Sequence, residues 1–243
     1  MMNLFKLPFD LNADLGEGMG NDSELIPFLS SSNIACGGHA GNGESMQETI
    51  LLCEKFDVKI GAHPSYPDPA NFGRKYLELS KVEFQESIIS QIDELLTLCD
   101  KHNLKLNHIK PHGALYNRLA VDQKEAMWFV EIVNSNYRDK VLYIPPNSII
   151  EKIANQAGIN TAREAFADRS YTDDLGLVDR NHPSALLSEP AIVVDQIKNM
   201  VHNNKVHTIT GKMLDIRFDT VCIHGDNPNA TEIIKAIYTS FQS

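Results

Sequence analysis

The sequence contains only four cysteines, and it has no segment typical of a targeting signal or a membrane span. No CxxC pair occurs, and the cysteines lie in apolar or helical surroundings, which predicts reduced core thiols rather than disulfides. Residues 1–9 lack the basic region and the long apolar run of a signal peptide. No apolar stretch approaches the roughly 20 residues needed to cross a bilayer. We therefore expect a soluble, cytoplasmic protein with no membrane partner.

Positive charge is also scarce. The chain has 22 Lys and Arg residues against 32 Asp and Glu, which gives a formal net charge of −10. This balance disfavours nucleic acid or an anionic membrane surface as the main partner, since either requires a basic face. It does not exclude a small anionic substrate, which needs only local positive charge.

The sequence has no low-complexity run, no internal repeat and no linker rich in Pro, Gly or Ser. Its 243 residues, of which 42% are hydrophobic, are enough to bury a large core. These features predict a single domain that covers residues 1–243.

A phosphate-binding loop is missing as well. Gly16, Gly18 and Gly20 form only a G-x-G-x-G pattern, which is weak evidence for such a loop. The G-x-x-x-x-G-K-[ST] spacing, whose backbone N–H groups wrap a nucleotide tail, does not occur. Gly211-Lys212 comes nearest, but Met213 follows it. The chain therefore has no recognisable phosphate-binding motif of its own.

What is present is a recurring order of short apolar strand, polar turn and amphipathic helix. Strands are predicted at about 8–14, 31–36, 58–62, 104–110, 141–144, 159–165 and 221–223. Helices are predicted at about 44–56, 80–102, 122–136, 147–157 and 189–203, with a last helix whose first turn contains Pro228. Residues 205–219 fit either a strand pair or an additional excursion. Roughly seven βα units predict an α/β fold with a parallel sheet, either closed as a barrel or doubly wound.

The predicted helices are amphipathic. Ser80 and Glu83 match a capping box at the start of the second helix. At helical spacing, one face of the first helix carries Met46, Ile50, Cys53 and Phe56. The inward face of the second carries Val82, Ile88, Ile92, Leu95 and Cys99.

Polar and charged residues collect where the predicted strands end. In a parallel α/β fold all strand ends of one direction lie on one face of the molecule, where such folds build their sites. We therefore expect these side chains to share one site: Asp14, Glu17, His39, His63, Lys110, His112, Asp168, Arg169, His224 and Asp226.

The alternation along the strands supports this site. Asn12 and Asp14 share one side of the first strand, and Leu11, Ala13 and Leu15 share the other. The sets His108/Lys110/His112 and Cys222/His224/Asp226 alternate with apolar neighbours in the same way. In a barrel the apolar side faces the helices, so the polar side must face the interior. A polar interior is better explained by a binding site than by packing.

Two kinds of chemistry are compatible with these residues. Asp14, His39 and His63 have the ligand types of a divalent metal site. The alternative is general acid–base catalysis, in which a histidine or a carboxylate transfers a proton. Lys110 and Arg74 are candidates for holding a substrate carboxylate.

Seven segments of the chain also resemble the LamB/YcsF family, in order and over nearly its whole length. The segments are residues 10–17 (DLNADLGE), 33–41 (NIACGGHAG), 61–68 (GAHPSYPD), 72–74 (FGR), 110–117 (KPHGALYN), 164–169 (EAFADR) and 222–226 (CIHGD).

The resemblance implies a deformed, seven-stranded parallel βα barrel similar to that of polysaccharide deacetylases. The family's members are A subunits of 5-oxoprolinase, so it also implies ATP-coupled opening of 5-oxo-L-proline to L-glutamate with separate B and C subunits. In that scheme His112 or Asp14 orients the attacking water, and Lys110 or His63 opposes developing negative charge. The substrate-binding candidates are Glu17, His39, Arg74, Asp168, Arg169, His224 and Asp226.

Two other functions stay open at this point. One is a metal-dependent carbohydrate N-deacetylase, which the Asp-His-His set allows. The other is a non-catalytic regulatory subunit whose pocket only binds a ligand. A homo-oligomer is equally open.

Overall fold

The computed structural model describes residues 6–242, and within them nine strands and eight α-helices follow one another along the chain. The strands are β1 (Asp10–Leu15), β2 (Ser31–Ala35), β3 (Lys59–His63), β4 (Leu106–Ile109), β5 (Val141–Ile144), β6 (Thr161–Phe166), β7 (Lys205–His207), β8 (Met213–Asp215) and β9 (Thr220–His224). The helices are α1 (Asp22–Leu25), α2 (Gly43–Phe56), α3 (Lys81–Lys101), α4 (Gly113–Val121), α5 (Gln123–Asn136), α6 (Ile149–Gln156), α7 (Pro190–Asn203) and α8 (Ala230–Phe241). None of these helices has the length and apolarity needed to cross a membrane.

Seven of the strands in the described chain close into a parallel barrel in the order β1-β2-β3-β4-β5-β6-β9. The ring closes where β9 pairs with β1 on one side and with β6 on the other. Asp10 is the register partner of Thr220, and Asp14 is the partner of His224. The expected seven-stranded βα barrel is confirmed, and the doubly wound alternative is excluded.

The two sides of the barrel wall differ in chemistry, as the alternation predicts. Leu11, Ala13 and Leu15 are fully buried in the apolar layer between the strands and the helices. Asn12 and Asp14 point into the barrel, where both bond to Asn33 on β2. The interior of the barrel is therefore polar, and the main hydrophobic core surrounds it.

Local signals place most helix boundaries correctly. The Ser80 hydroxyl accepts from the Glu83 N–H at 3.3 Å, and the Glu83 carboxylate accepts from the Ser80 N–H at 2.9 Å, so the capping box is confirmed. Two inward assignments are wrong, because Val82 is 62% exposed and Phe56 is 39% exposed. Both residues lie in a terminal turn of their helix, beyond the part that packs on the barrel.

Three further differences concern the connections. Helix α4 is absent from the sequence prediction, because its residues follow β4 directly and resemble a strand-end loop. Pro228 precedes the last helix instead of lying in its first turn, since α8 begins at Ala230 after a turn closed by the Ala230 N–H and the Asn227 carbonyl. Residues 205–219 contain the antiparallel pair β7–β8, which is one of the two alternatives the sequence allows. All four cysteines are buried and free, as expected.

Candidate functional site

Three histidines and one glutamate meet at the C-terminal ends of β1 to β4. We call Glu17, His39, His63 and His112 the histidine cluster. The Nε2 atom of His39 lies 3.0 Å from Oε1 of Glu17, and Nδ1 of His112 lies 2.9 Å from Nε2 of His63. The same Glu17 oxygen is 3.5 Å from His112 Nδ1 and 3.9 Å from His63 Nε2. Four potential ligand atoms therefore converge on one point.

Backbone carbonyls fix the protonation pattern of two of these rings. Nδ1 of His63 lies 2.7 Å from the carbonyl oxygen of Lys110, and Nε2 of His112 lies 3.0 Å from that of Phe72. A carbonyl oxygen only accepts, so each of these nitrogens carries the ring proton. In the neutral rings the lone pairs of His63 Nε2 and His112 Nδ1 then face each other beside Glu17. Such a pair requires a proton or a cation between its members.

Burial keeps two imidazoles of the cluster uncharged. It lowers the pKa of His39 to about 4, and together with the neighbouring His39 it lowers the pKa of His112 well below the ordinary value. Burial and the nearby Asp14 charge raise the pKa of Glu17 to about 7. The cluster thus combines neutral imidazoles with a carboxyl group that ionises near neutral pH, which is the donor set that suits a divalent cation of the zinc type.

The loop after β3 covers the cluster. Gly73 packs so closely that an added Cβ would lie 2.8 Å from Cβ of His39 and 3.0 Å from Cδ2 of His112, and its φ of +61° also favours glycine. The Phe72 ring contacts the His39 ring edge-on, at 5.2 Å between centroids. This loop therefore holds two histidine rings in place through main-chain and aromatic contacts.

A second group of potential ligands already contains a cation of the protein. The ligand atoms of Asp14, Cys222 and His224 lie within 4.8 Å of one another. The ammonium of Lys110, however, lies 2.7 Å from Oδ1 of Asp14, 3.0 Å from Sγ of Cys222 and 3.0 Å from Oε1 of Glu164. Lys110 thus supplies positive charge to this second group. We call Asp14, Lys110, Glu164, Cys222 and His224 the lysine cluster.

Charges within the lysine cluster stabilise one another. Burial alone would favour neutral forms, but His63 and Lys110 lower the pKa of Asp14 well below its ordinary value. Burial also opposes the charge on Lys110, but Asp14 raises the pKa of Lys110 well above its ordinary value. Asp14 is therefore an anion and Lys110 a cation at neutral pH. The second oxygen of Asp14 lies 3.4 Å from Nε2 of His63, so Asp14 links the two clusters.

Hydrogen bonds inside the barrel orient Asp14 from below. The side-chain amide of Asn33 donates to Asp14 Oδ1 at 2.8 Å and to Asn12 Oδ1 at 2.7 Å. The oxygen of Asn33 lies 2.8 Å from Nε2 of His108. Gly61 makes room for that ring, because an added Cβ would lie 2.0 Å from His108 Nε2.

The ends of β6 and β9 form the other side of the site. Asp168 lies 2.8 Å from Nδ1 of His224 and accepts from the Asn227 amide at 3.0 Å. Burial opposes its ionisation, but His224 keeps its pKa below the ordinary value. The Arg169 guanidinium donates to the carbonyls of Ala185 and Val178, so it holds the loop over residues 167–189. Its expected contact with substrate stays a prediction.

Arg74 and Asp226 meet at the mouth of the site. Nη2 of Arg74 lies 2.5 Å from Oδ2 of Asp226, and Nη1 of Arg180 lies 2.7 Å from the same oxygen. Burial opposes ionisation of Asp226, but Arg180 keeps its pKa below the ordinary value. These contacts join the loops that follow β3, β6 and β9.

The structure brings the predicted residues to one end of the barrel but groups them differently from the sequence hypothesis. His39 and His63 do converge, and they do so with Glu17 and His112, whereas Asp14 belongs to the lysine cluster. The sequence hypothesis gives no site role to Glu164, Cys222, Asn33 or Arg180. Strand alternation already places Cys222 on the inward side, and it could have identified Glu164 and Asn33 in the same way, because their side chains share that side with assigned residues. Arg180 lies in an irregular loop that has no periodic signal.

Comparison with known proteins shows which family the chain resembles. The model of the LamB/YcsF family matches residues 9–243. An A subunit of 5-oxoprolinase from Pyrococcus horikoshii is 38% identical over 233 residues, which cover 94% of this chain and 91% of that protein. Its namesake from Campylobacter jejuni subsp. jejuni serotype O:2 is 39% identical over 240 residues, which cover 96% and 93%.

A solved structure shows the same fold. The lactam utilization protein from Thermus thermophilus superposes with a TM-score of 0.89 at 34% identity, covering 97% of this chain and 96% of that one. The family match spans nearly the whole sequence, and the relatives match at nearly full length. The chain belongs to the LamB/YcsF family.

Proposed function

We propose that this chain is the A subunit of a 5-oxoprolinase, which opens 5-oxo-L-proline to L-glutamate at the expense of ATP together with B and C subunits. The names of the relatives support the substrate and the role as one subunit of several. The observation that carries the chemistry is the pair of imidazole nitrogens, on His63 and His112, that face each other at 2.9 Å beside Glu17. We assign hydrolysis of the amide to this centre.

We further propose that Glu17, His39, His63 and His112 hold a divalent metal ion. The facing lone pairs support this set, which replaces Asp14 of the sequence hypothesis with Glu17 and His112. When bound, the metal supplies Lewis-acid chemistry, which polarises a carbonyl group and lowers the pKa of water. Backbone carbonyls orient the two rings from behind, as outer-shell partners commonly do for histidine ligands.

The chain's own residues account for the remaining steps. Ionised Asp14 lies next to the histidine cluster, with its second oxygen 3.4 Å from Nε2 of His63, and is placed to accept a hydrogen bond from the attacking water and orient it. The enclosed Lys110 ammonium, 2.7 Å from Asp14, keeps this carboxylate ionised and fixed in position. Water adds to the ring carbonyl carbon, the C–N bond breaks, and the released nitrogen takes up a proton. The products are the carboxylate and the free amine of glutamate.

ATP enters this scheme from outside the chain. An unstrained lactam is a stable amide, so its hydrolysis needs coupling. Transfer of the γ-phosphoryl group of ATP to the lactam oxygen would activate the ring carbon toward water. Cleavage of the C–N bond would then leave an acyl phosphate, from which a second water releases the carboxylate and inorganic phosphate. The sequence has no G-x-x-x-x-G-K-[ST] loop, and the glycine loop at residues 16–20, which contains Glu17, lacks the lysine of such a loop. We therefore assign nucleotide binding to the partner subunits and expect the isolated chain to release neither glutamate nor phosphate above background.

The test is 5-oxoproline-dependent release of glutamate and phosphate, first with this chain alone and then with B and C subunits. In the complex, Asp14→Ala and His112→Ala should each lower turnover by at least about a hundredfold. The control is His202→Ala, because His202 is exposed on α7. Elemental analysis should detect a divalent metal that is lost in Glu17→Gln and His63→Ala. Stoichiometric turnover by the chain alone would contradict the need for partner subunits, and ATP-independent hydrolysis of N-acetylated sugars would favour a deacetylase.

A further inference from the structure

Two arginines from different loops share one carboxylate at the mouth of the site. Arg74 follows β3 and Arg180 lies in the loop after β6, and both donate to Oδ2 of Asp226, at 2.5 and 2.7 Å. The other oxygen of Asp226 is buried and has no hydrogen-bond partner among the described residues. One acceptor atom thus holds two guanidinium groups together.

The two guanidinium groups keep an uncompensated positive charge and N–H donors that make no hydrogen bond to a side chain of the described residues. Two guanidinium cations against one carboxylate give a net charge of +1. Each guanidinium has five N–H donors, and in the described chain the contact with Asp226 is the only side-chain hydrogen bond recorded for either group. The side chains of Arg74 and Arg180 are 42% and 33% exposed, so both guanidinium groups are accessible from solvent. The pair can therefore take a second, external carboxylate.

The arginines are also close to the histidine cluster. The Arg74 guanidinium lies 4.8 Å from the centroid of the Phe72 ring, which in turn lies 5.2 Å from that of His39. The Phe72 carbonyl contacts His112 directly. A small anion on the arginines would thus lie one side chain away from the reacting centre.

Other positions in the site suit an anion poorly. Asp14, Glu17 and Asp168 contribute negative charge. The Lys110 ammonium is 3% exposed and already contacts Asp14 and Glu164. Lys110, the other candidate for holding a carboxylate, is therefore enclosed, whereas the two arginines are open.

We propose that Arg74 and Arg180 form a clamp that binds the carboxylate of a small lactam acid, and that Asp226 holds the clamp in position when no ligand is bound. The planar fork of a guanidinium matches a carboxylate with two hydrogen bonds, and lysine cannot reproduce this geometry. The clamp distinguishes 5-oxo-L-proline from its neutral analogues. This inference rests on the proposed function, since it names the group of that substrate that is recognised.

The test compares 5-oxo-L-proline with its uncharged carboxamide in the complete complex. Arg180→Gln and Arg74→Gln should raise KM for 5-oxo-L-proline by about ten- to a hundredfold, the loss expected for hydrogen bonds to a charged group. KM for the carboxamide should change less than about twofold, so discrimination between the two compounds is lost. Arg217→Gln is the control, because Arg217 is exposed outside the site. Equal losses for both compounds, or no change in KM, would overturn the clamp.

A substitution that should strengthen binding, rather than weaken it, tests whether the arginines and Asp226 have more than a structural role. Asp226→Asn keeps an oxygen that accepts from both arginines but removes the competing negative charge, so calorimetry should find that the variant binds 5-oxo-L-proline more tightly than the parent chain. Weaker binding in a variant that melts normally would overturn the role of Asp226.

These experiments separate the clamp from the proposed function. If the complex turns over 5-oxo-L-proline and the arginine variants keep their KM, the clamp is wrong and the function stands. If the chain binds the acid through the arginines without any turnover by the complex, the proposed function is wrong and the clamp stands.

Discussion

Replacing Lys110 with methionine should destabilise the protein strongly, because it removes the cation of the lysine cluster. The ammonium is almost fully buried and contacts Asp14, Glu164 and Cys222 at 2.7 to 3.0 Å. Methionine has a similar length but no charge, so two carboxyl groups would remain side by side in the barrel. Removing one partner of a buried ion pair costs about 3–5 kcal/mol. For a chain of this size that corresponds to a fall in Tm of about 6–20 °C.

The chain contains a matched control for this substitution. Lys59 also contacts an aspartate, with its Nζ 3.3 Å from Oδ1 of Asp10, but its side chain is 55% exposed. An exposed ion pair contributes about 0–1 kcal/mol, so Lys59→Met should lower Tm by no more than about 4 °C. Both variants can be compared by calorimetry or by circular dichroism melting. Equal effects of the two substitutions would refute the assignment of Lys110 as a buried charge partner.

The pH dependence gives a second check on Lys110. Asp14 has a lowered pKa, so its ionised form stabilises the fold above its ordinary value of 3.8, and this contribution is lost as the pH falls toward the folded-state pKa. Without Lys110 most of that contribution disappears. The difference in unfolding free energy between the parent and Lys110→Met should therefore be largest near pH 7 and smaller below about pH 4. A difference that stays constant over this range would contradict the reasoning.

Three further predictions follow from local geometry. Gly61→Ala should lower the free energy of unfolding by about 1–3 kcal/mol, because the new Cβ would lie 2.0 Å from the His108 ring. Gly43→Ala is the control, because its new Cβ would have its nearest contact at 3.9 Å and should not destabilise the fold. Urea unfolding of both variants measures the difference. In metal-free protein the pKa of Glu17 is raised from 4.5 to about 7, so its ionisation destabilises the fold as the pH rises through this range. Glu17→Gln should therefore become more stable relative to the parent, by up to about 3 kcal/mol. Thermal melts of both proteins at pH 4 and pH 8 test the sign. Ser80→Ala should cost about 1 kcal/mol through loss of the cap on α3, and Ser80→Asp should restore most of it; no loss in Ser80→Ala would show that the cap contributes little.

Much of the fold is predictable because its signals are local. The alternation of Leu11, Asn12, Ala13 and Asp14 defines both the strand and its inward face, since a strand repeats every two residues. Helix packing is harder to predict, because periodicity does not tell where a helix leaves the barrel. Val82 continues the apolar spacing of α3 and yet lies in solvent.

The location of the site was predictable from the sequence, but the contacts between its residues were not. The rule that parallel strands end on one face is sufficient to bring His39, His63 and His112 together. Which carboxylate joins them depends on distances across the barrel, and the sequence does not contain these. Arg180 shows the limit most clearly, because an irregular loop carries it to Asp226 over a separation of 46 residues in the chain.

The position of β9 between β1 and β6 has a consequence for biosynthesis. The hydroxyl of Thr220 and the carboxylate of Asp10 bond across a separation of 210 residues, so the ring of strands stays open until β9 has left the ribosome. Contacts of such long range form slowly. Until then the acidic lining of the barrel and the unpaired edges of β1 and β6 are exposed to other chains and to chaperones. His224 and Asp226 arrive last, so the nascent protein acquires a complete site only in the final step of folding.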